Sequence, residues 1–138
     1  MEIKSLSLII LDKNLIDELK ELYKELNINL SENFKEDLEE IKGNIYVIIN
    51  DNKIIGCATL IMEKKLYHQG KKVGHIEDLI INKNYQGLGL GKKLLEYLIN
   101  ICNNNNCYKI ILDCNKNLIS FYQKVGFNNK NIQMSLYL

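Results

Sequence analysis

At 138 residues, 46% hydrophobic and 25% charged, the chain has the composition of a single globular domain with one sizeable core, residues 1–138. A net charge of +1 gives no electrostatic ground for a nucleic-acid or membrane partner, and no apolar run approaches transmembrane length. All 18 basic residues are lysine and proline is absent, so no guanidinium fork is available for a phosphate and every turn falls to Gly, Asn and Asp.

The N-terminus, MEIKSLSLII, is too short and too polar for a signal peptide, which points to a cytoplasmic protein. Residues Ile3 to Leu11 alternate weakly and read as a first strand. Asp12 or Asn14 caps a helix with Leu15, Ile16, Leu19, Leu22, Tyr23 and Leu26 on one stripe. After a turn at Asn27–Leu30, Ser31 or Asn33 caps a second helix with Phe34, Leu38 and Ile41 on one face, ending at Gly43. Ile45–Ile49 and Ile54–Met62 form a hairpin around Asn50–Lys53. The lysine-rich stretch Glu63–Lys72 is either a solvated loop or a substrate loop whose lysines attract an anion.

The stretch from Gly74 to Lys93 organises the rest. Ile76, Leu79, Ile80 and Ile81 form a β-favouring run broken by Asn82-Lys83-Asn84. Gly87, Gly89 and Gly91 follow, with Lys92 and Lys93 opening a helix. A glycine loop ahead of a helix N-terminus leaves N–H groups free where the dipole is positive, which is a phosphate cradle. It is not a P-loop, because Lys92 is followed by Lys93 rather than Ser or Thr, and it is not the dinucleotide fingerprint. Leu94, Leu95, Leu98, Ile99 and Cys102 continue the helix to the solvated run Asn103–Asn106. Cys107–Asp113 is a buried strand, parallel to the central one if the helix is a crossover. Leu118, Phe121, Tyr122 and Val125 form a short helix ending at Gly126, and Ile132, Met134 and Leu136 alternate as a final strand within Phe127–Leu138. Cys57, Cys102, Cys107 and Cys114 lack C-x-x-C spacing and read as free thiols rather than metal ligands.

The segment Gln86-x-x-Gly89-x-Gly91 resembles the cofactor loop of the GCN5-related N-acetyltransferase (GNAT) superfamily. A second segment, Asn115 to Phe127, is similar to that superfamily's N-x-x-A-x-x-F-Y-x-K-x-G-F helix, with Leu118 in place of Ala. Within the superfamily, GHIEDLIIN, YQGLGLGK, CYKIILDC and FYQKVGF are together similar to the glucosamine 6-phosphate N-acetyltransferases, over Met62 to about Met134.

This resemblance implies an α/β (α+β) fold: a mixed central sheet with a splayed parallel strand pair and flanking helices. It implies acetyl-CoA as cosubstrate, held by Leu79, Ile80, Ile81, the loop Gln86, Gly87, Leu88, Gly89, Leu90, Gly91 and Lys92, and by Asn115. A main-chain N–H near Leu79 or Ile80 holds the thioester oxygen, worth about 3 kcal/mol at most. Tyr122 lies near the sulfur. A phenol at about pKa 10 is a weaker acid than a thiol at about 8.5, so Tyr122 stabilises the thiolate by hydrogen bond rather than by full proton transfer. Asp113 faces the amine. Glu77 and Asp78, adjacent in a strand, take opposite sides, so only one of them serves the substrate through its side chain. The implied amine is that of glucosamine 6-phosphate, in UDP-N-acetylglucosamine synthesis. Lys65 and His68, with Lys24 or Lys130, hold its phosphate as point charges, and Tyr23 corresponds to a small hydroxyl residue of the family. The family's arginine near the C-terminus is replaced by the stretch around Tyr137. Relatives pair as homodimers that share their sites, and the same is expected here. The rival readings are an acetyltransferase for another small amine or a protein N-terminus, and a non-catalytic acetyl-CoA-binding module.

Overall fold

The structure is a computed structural model describing residues 1–138. Strands β1 (Glu2–Ser5), β2 (Ile45–Asn50), β3 (Lys53–Lys64), β4 (Lys72–Ile81) and β5 (Cys107–Ile111) form one sheet whose spatial order follows chain order. Neighbours pair antiparallel except β4 and β5, which are parallel and joined through helix α3 (Leu90–Asn104). Helices α1 (Lys13–Lys24) and α2 (Phe34–Ile41) cover one face, and α3 with α4 (Ile119–Val125) covers the other. No helix is long and apolar enough to cross a membrane.

Local chemistry accounts for these elements. The Asp12 carboxylate accepts from the Leu15 N–H at 2.9 Å, capping α1, which buries Ile16, Leu19 and Leu22. Asp51 and Asn52 both take positive φ, as a two-residue hairpin turn requires. Gly126 closes α4 at φ 114. Between sheet and α3, the Sγ of buried Cys102 occupies the space beside Gly74, where a Cβ would come within 2.7 Å of it.

Four expectations are corrected. The first strand stops at Ser5, where the Ser5 hydroxyl accepts from the Ser7 N–H and Leu6 is buried in a 3-10 turn. The second helix ends at Ile41, and Asn33 makes no side-chain cap. β5 ends at Ile111, so Asp113 lies in the following loop. The final strand is absent: Phe127–Leu138 has no regular structure, and Ile132, Met134, Leu136 and Tyr137 are 85–93% exposed. A strand needs a ladder partner, and within one chain this segment has none.

Two departures from regular pairing shape the sheet near its parallel edge. Between β3 and β4 the register shifts after Cys57↔Ile80 to Thr59↔Glu77, and Asp78 in the resulting bulge takes φ 50. Between β4 and β5, Lys72 pairs with Cys107 but Val73 with Lys109. Pairing of β4 with β5 ends at His75↔Ile111, although β4 continues to Ile81, so the two strands part there. The implied splay of a parallel pair is therefore present.

Candidate active site

The parting of β4 and β5 frees the β5-facing main-chain edge of β4 beyond Ile76. Leu79 and Ile81 pack toward the α3 core and Ile80 into the α1 core, so these three present backbone, not side chains, to any ligand there.

The glycine loop follows directly. Gly87 and Gly89 take φ 78 and 79, a conformation that side chains disfavour, and a Cβ at either would meet nothing within 4 Å. These two glycines serve conformation, and the space above them is open. Gly91 differs: a Cβ there would come within 3.1 Å of the Phe121 ring, so its missing side chain lets α3 approach α4. The first helical bond of α3 runs from the Lys93 N–H to the Gly89 carbonyl, leaving the N–H groups of Leu90, Gly91 and Lys92 ahead of it. Left-handed glycines, open space and free N–H groups at a helix N-terminus suit an anionic diphosphate. Gln86 has a structural part, since its side-chain amide donates to the Ile81 carbonyl at 3.0 Å and ties the loop to β4. Leu88 is exposed, the Leu90 side chain is in the core, and Lys92 sits 3.9 Å from Glu96.

Tyr122 is 8% exposed, packed edge-on to Phe121 and Phe127 at 5.0 and 6.0 Å. Burial raises its phenol pKa, with smaller contributions from Cys114 and Asp113, which places its hydroxyl near both. Such a phenol is a poor acid and a good hydrogen-bond donor. Asn115 opens the turn before α4 without a side-chain cap, leaving its amide free.

Glu77 and Asp113 line one groove of about 1080 Å³ along the open edge of β5, with His75, Ile119, Phe127 and Lys130. The Glu77 pKa is raised first by burial, then by the Asp113 charge and by Asp78, against a lowering by His75. The groove reaches the two carboxylates but not Tyr122 or the glycine loop. Asp78 is not among its walls, though its charge acts on Glu77 as well as on Tyr23 and Cys57. The expectation that Glu77 and Asp78 take opposite sides is corrected: Ile76 and Leu79, three residues apart, both pack toward the α3 core, so the bulge leaves the two carboxylates on the same side of the sheet. Tyr23 is turned inward beside Thr59 and Cys57 and packed at 6.1 Å on Phe34, with its pKa raised mainly by burial.

The expected phosphate residues lie elsewhere. Lys65 is paired with Glu63, and His68 stacks on Tyr108. Both stand where β4 begins, and Lys72 to Glu77 alone spans about 17 Å at the usual rise. Tyr108, on which His68 stacks, nonetheless lines the same groove as Glu77 and Asp113. Lys24 pairs with Glu21 at 2.7 Å, and Tyr137 is on the exposed tail. Reading the sequence missed the bulge at Asp78, whose signal was two adjacent carboxylates in an apolar strand. It also missed Tyr108, which carried no signal beyond its aromatic type.

Comparison with known proteins agrees with this geometry. Residues 13–127 match the acetyltransferase (GNAT) family. The chain is 46% identical over 94 residues to glucosamine 6-phosphate N-acetyltransferase 1 of Dictyostelium discoideum, covering 68% of this chain and 60% of that one. It is 40% identical over 113 residues to the glucosamine 6-phosphate N-acetyltransferase of Arabidopsis thaliana, covering 77% and 76%. The crystal structure of the Arabidopsis enzyme superposes with a TM-score of 0.82 at 35% identity, over 99% of this chain and 97% of that one. A putative acetyltransferase from Agrobacterium tumefaciens, 19% identical with a TM-score of 0.85, shares the fold over the whole of both chains. The splayed parallel strands, the glycine loop ahead of α3 and the matched 115-residue span (13 to 127 inclusive) lead to one conclusion: the chain belongs to the acetyltransferase (GNAT) family.

Proposed function

We propose that residues 1–138 act as one domain, an acetyl-CoA-dependent N-acetyltransferase of the cytoplasm. Its substrate is glucosamine 6-phosphate, and its product N-acetylglucosamine 6-phosphate feeds UDP-N-acetylglucosamine synthesis. The observation that carries the reading is the pair Glu77 and Asp113, two carboxylates sharing a groove beside the free edge of β4. The named relatives from Dictyostelium and Arabidopsis supply the substrate.

The N–H groups of Leu90, Gly91 and Lys92 bind the cosubstrate's diphosphate, and the free edge of β4 at Leu79–Ile81 receives its arm. Acetyl-CoA supplies an activated acyl group as a thioester. Asp113 attracts and orients the ammonium of the sugar. Glu77, its pKa raised above the ordinary carboxylate value by burial and by Asp113, accepts the proton that the amine must lose before it attacks. A β4 main-chain N–H stabilises the carbonyl oxygen, and the buried Tyr122 hydroxyl donates to the departing sulfur.

In this reading a second chain completes the phosphate site. Lys65 and His68 stand at the far end of β4 from Glu77, and the exposed alternating segment Ile132–Leu136 faces no strand while the outer edge of β5 is open. A homodimer about a two-fold axis satisfies both, bringing Lys65, His68 and Tyr137 of one subunit to the groove of the other.

One observation favours a different amine: Lys65 already has Glu63 as partner, so no strong free cation is reserved for phosphate. Release of free thiol over glucosamine 6-phosphate, glucosamine, a polyamine and a peptide N-terminus separates the readings. The expected result is a kcat/KM for glucosamine 6-phosphate above that for glucosamine by about tenfold or more, roughly 1.4 kcal/mol. Preference for the polyamine or peptide overturns the substrate, and thiol release with none overturns the enzyme.

A further inference from the structure

Two backbone irregularities, in separate elements, meet at one side-chain contact far from the glycine loop. The first is in β5. Lys72 opposes Cys107 and the next residue, Val73, opposes Lys109, so Tyr108 is the extra residue of a bulge. Cys107 and Ile110, three residues apart, both pack toward the α3 core, which an unbroken strand does not allow. The bulge therefore leaves Tyr108 on the same side as Lys109, whose Nζ lies 5.7 Å from the Tyr108 ring centroid. This is the side of the sheet that carries Glu77, the face that α1 and α2 cover over β2 and β3.

The second irregularity is the turn between β3 and β4. His68, Gln69 and Gly70 take φ 50, 59 and 73 in succession. Two of these carry side chains for which that region is unfavourable. The turn is held by the Gly70 N–H donating to the Tyr67 carbonyl at 3.1 Å, and by Lys64 Nζ donating to the Gly70 carbonyl at 2.8 Å. Its result is that the His68 imidazole lies on the Tyr108 ring, centroids 4.1 Å apart and planes 29° apart. Tyr67 packs edge-on to both, at 5.5 and 6.4 Å. Core packing does not demand this contact, for Tyr67 and His68 are exposed.

We propose that Tyr108 is a positioning residue for phosphate recognition: its ring fixes the tilt of the His68 imidazole so that a ring N–H is aimed across the two-fold axis at the phosphate of the sugar. The inference rests on the reading of His68 and Lys65 as phosphate contacts. It follows from the absence of arginine. Lysine ammoniums are point charges on flexible stems and give a phosphate no direction. A stacked imidazole supplies a donor of fixed direction, and the loss of freedom on binding has already been met by the fold.

The test uses the intact protein and its two histidines, His68 and His75, as spectroscopic probes. In Tyr108→Leu the His68 ring protons lose the ring-current shift of the stack, and KM for glucosamine 6-phosphate rises about tenfold. KM for glucosamine, kcat and acetyl-CoA affinity stay as in the wild type, and Tyr108→Phe restores both signals. In the wild type, glucose 6-phosphate, which has no amine to acetylate, shifts the His68 resonances and glucose does not. An unchanged KM in Tyr108→Leu overturns the inference, as does a His68 signal indifferent to glucose 6-phosphate. If Tyr108→Leu does not fold, the wild-type titration decides. A wild type that shows no preference for glucosamine 6-phosphate over glucosamine refutes the substrate reading itself; that preference without any effect of Tyr108 refutes only the role given to Tyr108.

Discussion

Glu77 and Asp113 share the groove where β4 and β5 part, close enough for the Asp113 charge to raise the Glu77 pKa. Glu77 must be ionised to accept a proton, so its raised pKa sets the acidic limb of the activity profile. Asp113→Asn removes one source of that rise. The limb should move to lower pH while kcat/KM at neutral pH falls, because the amine loses its partner. A pH profile of kcat/KM checks this, and a limb that stays in place dissociates the two carboxylates.

The same pair makes a stability prediction of opposite sense. With a folded pKa above the unfolded one, the folded state binds more protons in the acid range, so stability falls as pH rises through that window. Glu77→Gln should therefore raise the melting temperature slightly at neutral pH. The gain should vanish below the ordinary carboxylate pKa of about 4.3. It should be less than about 0.5 kcal/mol, because the side chain is largely exposed and screened. Activity should collapse in the same variant. Melting curves at acid and neutral pH, set beside turnover, test both halves.

Gly89→Val puts a β-branched residue at φ 79, at a cost of about 1–2 kcal/mol, without any clash, since a Cβ there meets nothing. The loop should rearrange and acetyl-CoA affinity fall about tenfold or more, with the circular dichroism spectrum retained. Gly91→Val should instead unseat α4 through Phe121 and lower the melting temperature. Calorimetric titration of both variants distinguishes a conformational glycine from a packing glycine, and equal affinities for wild type and Gly89→Val would count against the cradle.

Tyr122→Phe should keep acetyl-CoA affinity and lower kcat by about tenfold or more, the worth of one hydrogen bond to a developing charge. Because burial raises this phenol, it stays protonated through about pH 6 to 9, and the shape of the profile there should not change. A loss seen wholly as weaker cofactor binding, or a missing basic limb, would remove Tyr122 from the leaving-group side.

Light scattering should give twice the 16.1 kDa chain mass. Deleting Ile132 to Leu138 should yield a monomer that binds acetyl-CoA and transfers little acetyl. Turnover of the phosphorylated sugar should also fall steeply with salt, since lysines alone supply its counter-charge. A fully active monomer removes the shared site.

Much of this arrangement could be read from local pattern. Periodicity located α1 and α3, glycine and asparagine located the turns, and two glycine-bearing segments located the cofactor loop and the helix of Tyr122. The bulges could not be read. An inserted residue changes which side Asp78 and Tyr108 take, yet Glu77-Asp78 and Cys107-Tyr108-Lys109 look the same in sequence whether the strand is regular or bulged. The tail was misread for a related reason: the alternation of Ile132, Met134 and Leu136 records a tendency to pair, not the presence of a partner in the same chain. Lys65 looked like a free cation because the Glu63 two residues before it gives no sign of bending back to meet it.

Strand order in the sheet is the order of synthesis. Each strand leaving the ribosome meets an edge that its predecessor has just completed; β2 waits for α1 and α2 and β5 waits for α3, while β3 and β4 follow through short turns. Assembly can therefore run in one direction, alternating a helical connection with tight turns, and no strand has to insert between two already formed. The last edge laid down is β5, which, like β1 at the other end, keeps its outer hydrogen bonds unmade in the finished chain. In the proposed homodimer, nascent chains crowded on one polysome would present like edges to one another as the tail emerges, so that pairing between neighbours could begin before either chain is released.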